Sequence, residues 1–293
     1  RQKAYHGVTI AAASLTGLPM NHQSFDIPYG DRFLHTGCPH YYRFAEAGET
    51  EEEFATRRAN ELRELIEAEG PDTIAAFIAE PVMGAGGVIV PPATYWEKMK
   101  AVLDDYDILF IADEVINGFG RTGTLFACEH YGLEPDFLVL SKQITSSYQP
   151  LAAILMKDEI YQAIADNSAR IGGLGHGYTG SGHPVATAVA LENLAIIEER
   201  DLINHAARMT PILQDGLRKF ADHPLVGEVR GIGMIGAVEL VADKATKQSF
   251  DPLGRIGAEF FERAHHHGLI IRNIMDTIAV CPPLIIREDQ ITE

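Results

Sequence analysis

The sequence predicts an α/β chain, with a larger part built on a mainly parallel sheet and a smaller C-terminal α+β part. Two observations carry this. Short apolar runs at 74–79, 108–112, 137–140 and 151–156 alternate with helical periodicity up to residue 200. Beyond Asp201 the pattern changes to a helix, a strand, a second helix and two more strands, so the division is drawn at 1–200 and 201–293.

The elements follow in order. Thr50 with Glu53 has capping-box spacing, ahead of apolar Phe54, Leu62, Leu65 and Ile66. This predicts an amphipathic helix that stops at Gly70-Pro71. Residues 74–79 read as a buried strand and 95–103 as a helix, followed by the three further runs. Residues 184–200 predict a long helix. In the C-terminal part, helices are expected to about 221 and over 257–266, with strands at 232–241, 269–272 and 277–280.

Composition narrows the function classes. A chain of 293 residues that is 46% hydrophobic and 22% charged can bury a sizeable core. Its net charge of −17 argues against nucleic-acid or anionic-membrane surfaces. Cys38, Cys128 and Cys281 are widely spaced, without ligand clustering, and read as reduced and structural in a cytoplasmic setting. His265-His266-His267 reads as a helix surface, because consecutive helical side chains point in different directions. No apolar run is long enough to span a bilayer.

Three ionisable residues, Glu80, Asp113 and Lys142, fall at or just past strand ends, where ligands gather in such sheets. A carboxylate and a lysine so placed suit pyridoxal 5'-phosphate. The lysine amine would hold the cofactor aldehyde covalently, and the carboxylate would keep the pyridine nitrogen protonated. On these residues alone, two ordinary strand-end side chains are the favoured reading.

The surrounding motifs are more specific. Asp113-Glu114-Val115-Ile116-Asn117-Gly118-Phe119-Gly120-Arg121-Thr122-Gly123 resembles the signature of class III aminotransferases, fold-type I pyridoxal phosphate enzymes. Ala79-Glu80-Pro81-Val82, Pro135-Asp136 with Ser141-Lys142, Gly177-Tyr178-Thr179-Gly180-Ser181-Gly182-His183-Pro184 and Pro282-Pro283-Leu284 resemble the family's other motifs, in its order and spacing.

The resemblance implies a role for each matching residue. Lys142 is covalent anchor and general base, and Asp113 is the partner of the pyridine nitrogen. Val115 packs on one ring face and Tyr5 stacks on the other. His6 borders the cofactor or only shapes the turn, and Glu80 supports the site. Thr179 reaches the phosphate of a neighbouring subunit, which implies a homodimer or a tetramer. The sequence departs from the family at Gly180, where a larger residue is common, and at Gln143, where Gly is frequent. Arg1 opens close to a motif, Ala4-Tyr5-His6-Gly7, that lies well inside the large domain of the family. The reading therefore expects a fragment of a longer chain, or its ordered part, with residues 288–293 as the start of a helix.

Substrate expectations come from two further departures. Members that use 2-oxoglutarate usually pair a Glu with an Arg at positions that are Ala85 and Ala279 here. Losing both together is coherent, since a lone buried charge is costly. Arg272 instead resembles the carboxylate-holding arginine of pyruvate-dependent ω-transaminases, and a guanidinium suits bidentate carboxylate binding. The expected reaction moves nitrogen from an amine donor to a 2-oxo acid, pyruvate, giving alanine. The alternatives are a decarboxylase or aminomutase of the same fold, or an inactive truncated homologue with a binding role.

Overall fold

The computed structural model describes residues 1–23, 25–27 and 32–293. Its first sheet has the order β1 (Ala76–Ala79), β2 (Leu109–Asp113), β3 (Phe137–Leu140), β4 (Ala153–Met156). β1, β2 and β3 run parallel, and β4 is antiparallel to β3. The second sheet is antiparallel throughout, in the order β5 (Val226–Ile232), β6 (Ile235–Leu240), β8 (Thr277–Val280), β7 (Arg272–Ile274). The helices among the described residues are α1 (Ile10–Leu15), α2 (Tyr41–Phe44), α3 (Glu51–Glu69), α4 (Tyr95–Asp105) and α5 (Ala127–His130). They continue with α6 (Asp158–Ile171), α7 (Pro184–Glu199), α8 (Leu202–Arg218), α9 (Arg255–His266) and α10 (Glu288–Thr292).

α3 begins as its sequence dictates. Thr50 Oγ1 accepts from Glu53 N at 3.2 Å, and Glu53 Oε2 accepts from Thr50 N at 2.8 Å. Phe54, Leu62 and Ile66 are buried, whereas Leu65 is only half-buried. α3 and α4 pack Leu62, Ile66, Trp96, Met99 and Leu103 against Phe77 and Phe110 of β1 and β2. Truncating Phe110 to Ala in this layer should cost about 3–5 kcal/mol. Trp96 Nε1–H also donates to the Pro81 carbonyl at 3.0 Å, fixing the turn directly after Glu80.

A second cluster seats α7 on the first sheet, with Ala190, Leu194 and Ile197 against Leu140, Ile144 and Phe119. α8 covers the second sheet through Ala206, Leu213 and Leu217, packed with Val226, Val238 and Ile278. An ion cluster ties the sheets' surroundings together. Arg230 Nη1 lies 2.5 Å from both Glu228 and Glu239, while its other nitrogens donate to the Gly87 and Val88 carbonyls. His40 Nε2 meets Glu228 at 2.8 Å, and Arg43 pairs with Glu239.

Two expectations change. The strand expected over 232–241 is only its later part, β6, and Ile232 instead ends β5, a strand the sequence reading lacks, because Gly233 turns the chain at φ 58° and its absent side chain leaves room for the Arg121 carbonyl. A Cβ at Gly233 would lie 2.4 Å from that oxygen. The strand expected over 269–272 begins only at Arg272, where pairing with Ala279 starts.

Candidate active site

Asp113 ends β2 and pairs in register with Val139 of the adjacent parallel strand, so the chain leaving β3 reaches Lys142 beside it. Asp113 is buried. Its Oδ2 lies 2.7 Å from His6 Nδ1, and its Oδ1 accepts from Val115 N at 3.1 Å. With the carboxylate ionised, His6 donates from Nδ1. The His6 ring is enclosed, and its Nε2 is buried without a partner.

The neighbouring acid, Glu114, turns the other way. It is buried and accepts from Ala127 N at 3.1 Å and Cys128 N at 2.7 Å, which satisfies the N-terminus of α5. Burial raises its pKa, and the two amide bonds oppose that rise. The adjacent Asp-Glu pair thus splits into one site carboxylate and one structural cap.

Glu80 follows β1 and is fully enclosed. It accepts from Tyr5 N at 3.1 Å and Gly84 N at 2.9 Å, and its backbone carbonyl accepts from Arg1. Burial raises its pKa most strongly; His6 opposes this and Asp113 adds to it. Glu80 is therefore a pin between the Tyr5-His6 segment and the strand end.

Lys142 opens a single 3-10 turn, Lys142–Ile144, with φ 45°. A left-handed non-glycine residue is strained, and such strain concentrates at working sites. Its side chain reaches solvent, yet the surrounding protein lowers its pKa by desolvation. Asp113 and Glu80 oppose that lowering, and Arg272 adds to it. The charges acting on Lys142 thus come from both sheets.

The remaining expected residues divide. Tyr5 is half-buried and held through its backbone by Glu80. Val115 lies just past β2, which stops at Asp113, and is held by its amide bond to Asp113. Thr179 lies in an exposed loop with a turn from Tyr178 to Ser181. Arg272 opens β7, is exposed, and stands directly opposite Ala279. Cys38 and Cys128 are buried, but Cys281 is exposed, so it is not a core thiol. All three are free.

Sequence reasoning missed the residues that hold the signature loop. Arg121 Nη1 donates to the Met234 and Pro282 carbonyls at 2.9 and 2.6 Å, joining the loop to the second sheet. Asn117 Nδ2 donates to Val82 O at 3.0 Å. No local signal announces partners so distant in sequence.

The sequence profile described as Aminotransferase class-III matches residues 1–293. The chain belongs to the class III aminotransferases. Gamma aminobutyrate transaminase 3, chloroplastic, of Solanum lycopersicum is 52% identical over the whole chain, which spans 56% of that relative. Gamma-aminobutyrate transaminase 1, mitochondrial, of Oryza sativa subsp. indica is 50% identical, with 57% of its length covered. The chain thus spans just over half the length of these relatives. A solved structure of the omega transaminase from Pseudomonas jessenii in complex with PMP superposes with a TM-score of 0.98 at 60% identity. It covers all of this chain and 64% of that one. These likenesses establish the fold-type I α/β architecture.

Class III aminotransferases use pyridoxal phosphate, and the residues here fit it. Each Asp113 oxygen takes one hydrogen bond, whereas a carboxylate offers about four lone-pair sites, so acceptor capacity remains for a pyridine nitrogen. Lys142 supplies an amine whose charged form is disfavoured, as covalent attachment requires.

Proposed function

We propose that the protein is a transaminase moving nitrogen from an amine or ω-amino acid donor to a 2-oxo acid, with pyruvate as acceptor and alanine as product. The observation that carries this is the shared site of Lys142 and Asp113 at adjacent parallel strand ends, with Arg272 in the same field. Pyridoxal phosphate, when bound, supplies an electron sink for the substrate's α-carbon.

The chain's own residues do the rest. Asp113 holds a positive charge at the pyridine nitrogen, and His6 holds Asp113 in place through the 2.7 Å bond. Lys142 anchors the cofactor and, once displaced, carries a proton from the substrate Cα, a task eased by its lowered pKa. Tyr5 and Val115 flank the ring. Arg272 receives the acceptor's carboxylate, because Ala85 and Ala279 offer no ion pair for a second, distal one. Thr179, on its exposed loop, serves the phosphate of a second copy in a homodimer. The three free thiols suit a reducing, cytoplasmic setting. The names of the relatives make 4-aminobutyrate the first donor to try.

The test mixes the full-length protein with pyridoxal phosphate, records the visible spectrum, and adds an amine panel followed by pyruvate or 2-oxoglutarate. The expected result is a spectral change with amine that pyruvate reverses as alanine forms. Faster reversal by 2-oxoglutarate would refute the pyruvate assignment. No spectral response to any amine would refute transamination.

A further inference from the structure

We propose that Gln143, Ser146 and Asn193 form a closed hydrogen-bonded ring that fixes the turn carrying Lys142, making Gln143 and Asn193 positioning residues for that lysine. Gln143 Nε2 donates to Ser146 Oγ at 3.1 Å, and Ser146 Oγ donates to Asn193 Oδ1 at 2.7 Å. Asn193 Nδ2 closes the ring by donating to the carbonyls of Gln143 at 2.7 Å and Ile144 at 3.2 Å. The donor pattern is self-consistent. A flipped Asn193 amide would set its oxygen against two carbonyls and its nitrogen against a hydroxyl that already donates to it.

The turn needs such a clamp. Lys142, Ser146 and Ser147 all have left-handed φ, at 45°, 48° and 65°, a region that side chains other than glycine and asparagine avoid. Without outside bonds the segment would relax and redirect the lysine. Asn193 is well placed to prevent this, because α7 is itself fixed by Ala190, Leu194 and Ile197 packing on Leu140 and Ile144. A glycine at 143 would keep the backbone carbonyl that accepts from Asn193 but lose the side-chain donor to Ser146, so closure of the ring depends on the residue this chain carries there.

This inference rests on Lys142 being the lysine that takes the cofactor. The experiment uses the full-length, cofactor-free protein and its Asn193→Leu and Gln143→Gly variants. Each is exposed to pyridoxal phosphate from about pH 6 to about pH 10, reduced with borohydride, and peptide-mapped for modified lysine. Wild type should label at Lys142 with a midpoint below the ordinary lysine value of 10.5. Both variants should move that midpoint upward, since a loosened turn lets the amine out to water. They should also lower kcat about tenfold or more with donor KM nearly unchanged. Residues that merely stabilised the fold would lower Tm and leave the midpoint alone. Gln143 is half-buried and outside the packed face of α7, so its variant keeps the test alive if Asn193→Leu does not fold. Unchanged midpoints in folded variants would overturn the clamp. Wild-type labelling at a different lysine would overturn the proposed function and the clamp with it.

Discussion

Replacing Asp113 with Asn removes one charge and almost no volume, so its effects on fold and on chemistry can be separated. In the native site Oδ2 faces His6 Nδ1 and Oδ1 faces Val115 N–H. The amide nitrogen must point at one of these. Against Val115 it sets donor against donor. Against His6 it forces Nδ1 to accept, which moves the ring proton to Nε2, a buried atom with no partner. Either arrangement leaves one buried polar group unsatisfied, at a cost of about 1–3 kcal/mol in stability. The fold should survive, with a lower urea midpoint. The chemical loss is larger: without the carboxylate, the pyridine nitrogen loses a charge-assisted bond of about 3 kcal/mol, equivalent to about 150-fold in the amine half-reaction. Single-turnover absorbance with saturating amine measures this directly. A half-reaction rate within tenfold of wild type, with cofactor bound, would remove Asp113 from the mechanism.

Three further outcomes are expected. Arg272→Ala should weaken pyruvate use by about 2–5 kcal/mol, or about 30-fold and more, while sparing amines without a carboxylate; pyruvate titrations of the second half-reaction check it. Burial depresses the Lys142 pKa, so the cofactor-free native state resists a proton that the unfolded chain accepts. That penalty is complete below the lowered folded pKa and vanishes as pH rises to the unfolded value of 10.5, so Lys142→Met should raise Tm at neutral pH and lose its advantage near that upper limit. Arg230→Met should cost about 3 kcal/mol by removing the cation that Glu228 and Glu239 share and leaving them to His40 and Arg43, read as a shift in the denaturation midpoint.

Local chemistry was legible in the sequence wherever it was self-contained. The Thr50–Glu53 cap, the strand end at Asp113 and β8 over Thr277–Val280 all follow from a few adjacent residues. The hairpin of β5 and β6 was not, because Ile232-Gly233-Met234 reads as the start of one apolar run, and only Gly233's positive φ and its contact with Arg121 mark the turn that separates β5 from β6. α6 was also missed, although Ile160, Ile164 and Ser168 are spaced as one helical face; none of its residues is fully buried. His6 was identified, yet its bond to Asp113 spans 107 positions, and Asn193 lies 50 from Gln143. Such pairings are created by the strand order and have no local signature.

The register that sets Arg272 opposite Ala279 constrains how acceptor preference could change by mutation. Opposed residues on an antiparallel pair share a face with Cβ atoms about 4.5–5.5 Å apart, and like charges there repel. An arginine arriving at 279 while Arg272 remains would bring two guanidiniums together with no acid at Ala85 to balance them. An arginine at 279 is therefore unfavourable as the first step toward a dicarboxylate acceptor, and the favourable order begins with an acid at 85 or the loss of Arg272. Two neighbouring strands thus impose a direction on the route between substrate ranges, and a library that places the arginine first would not find it.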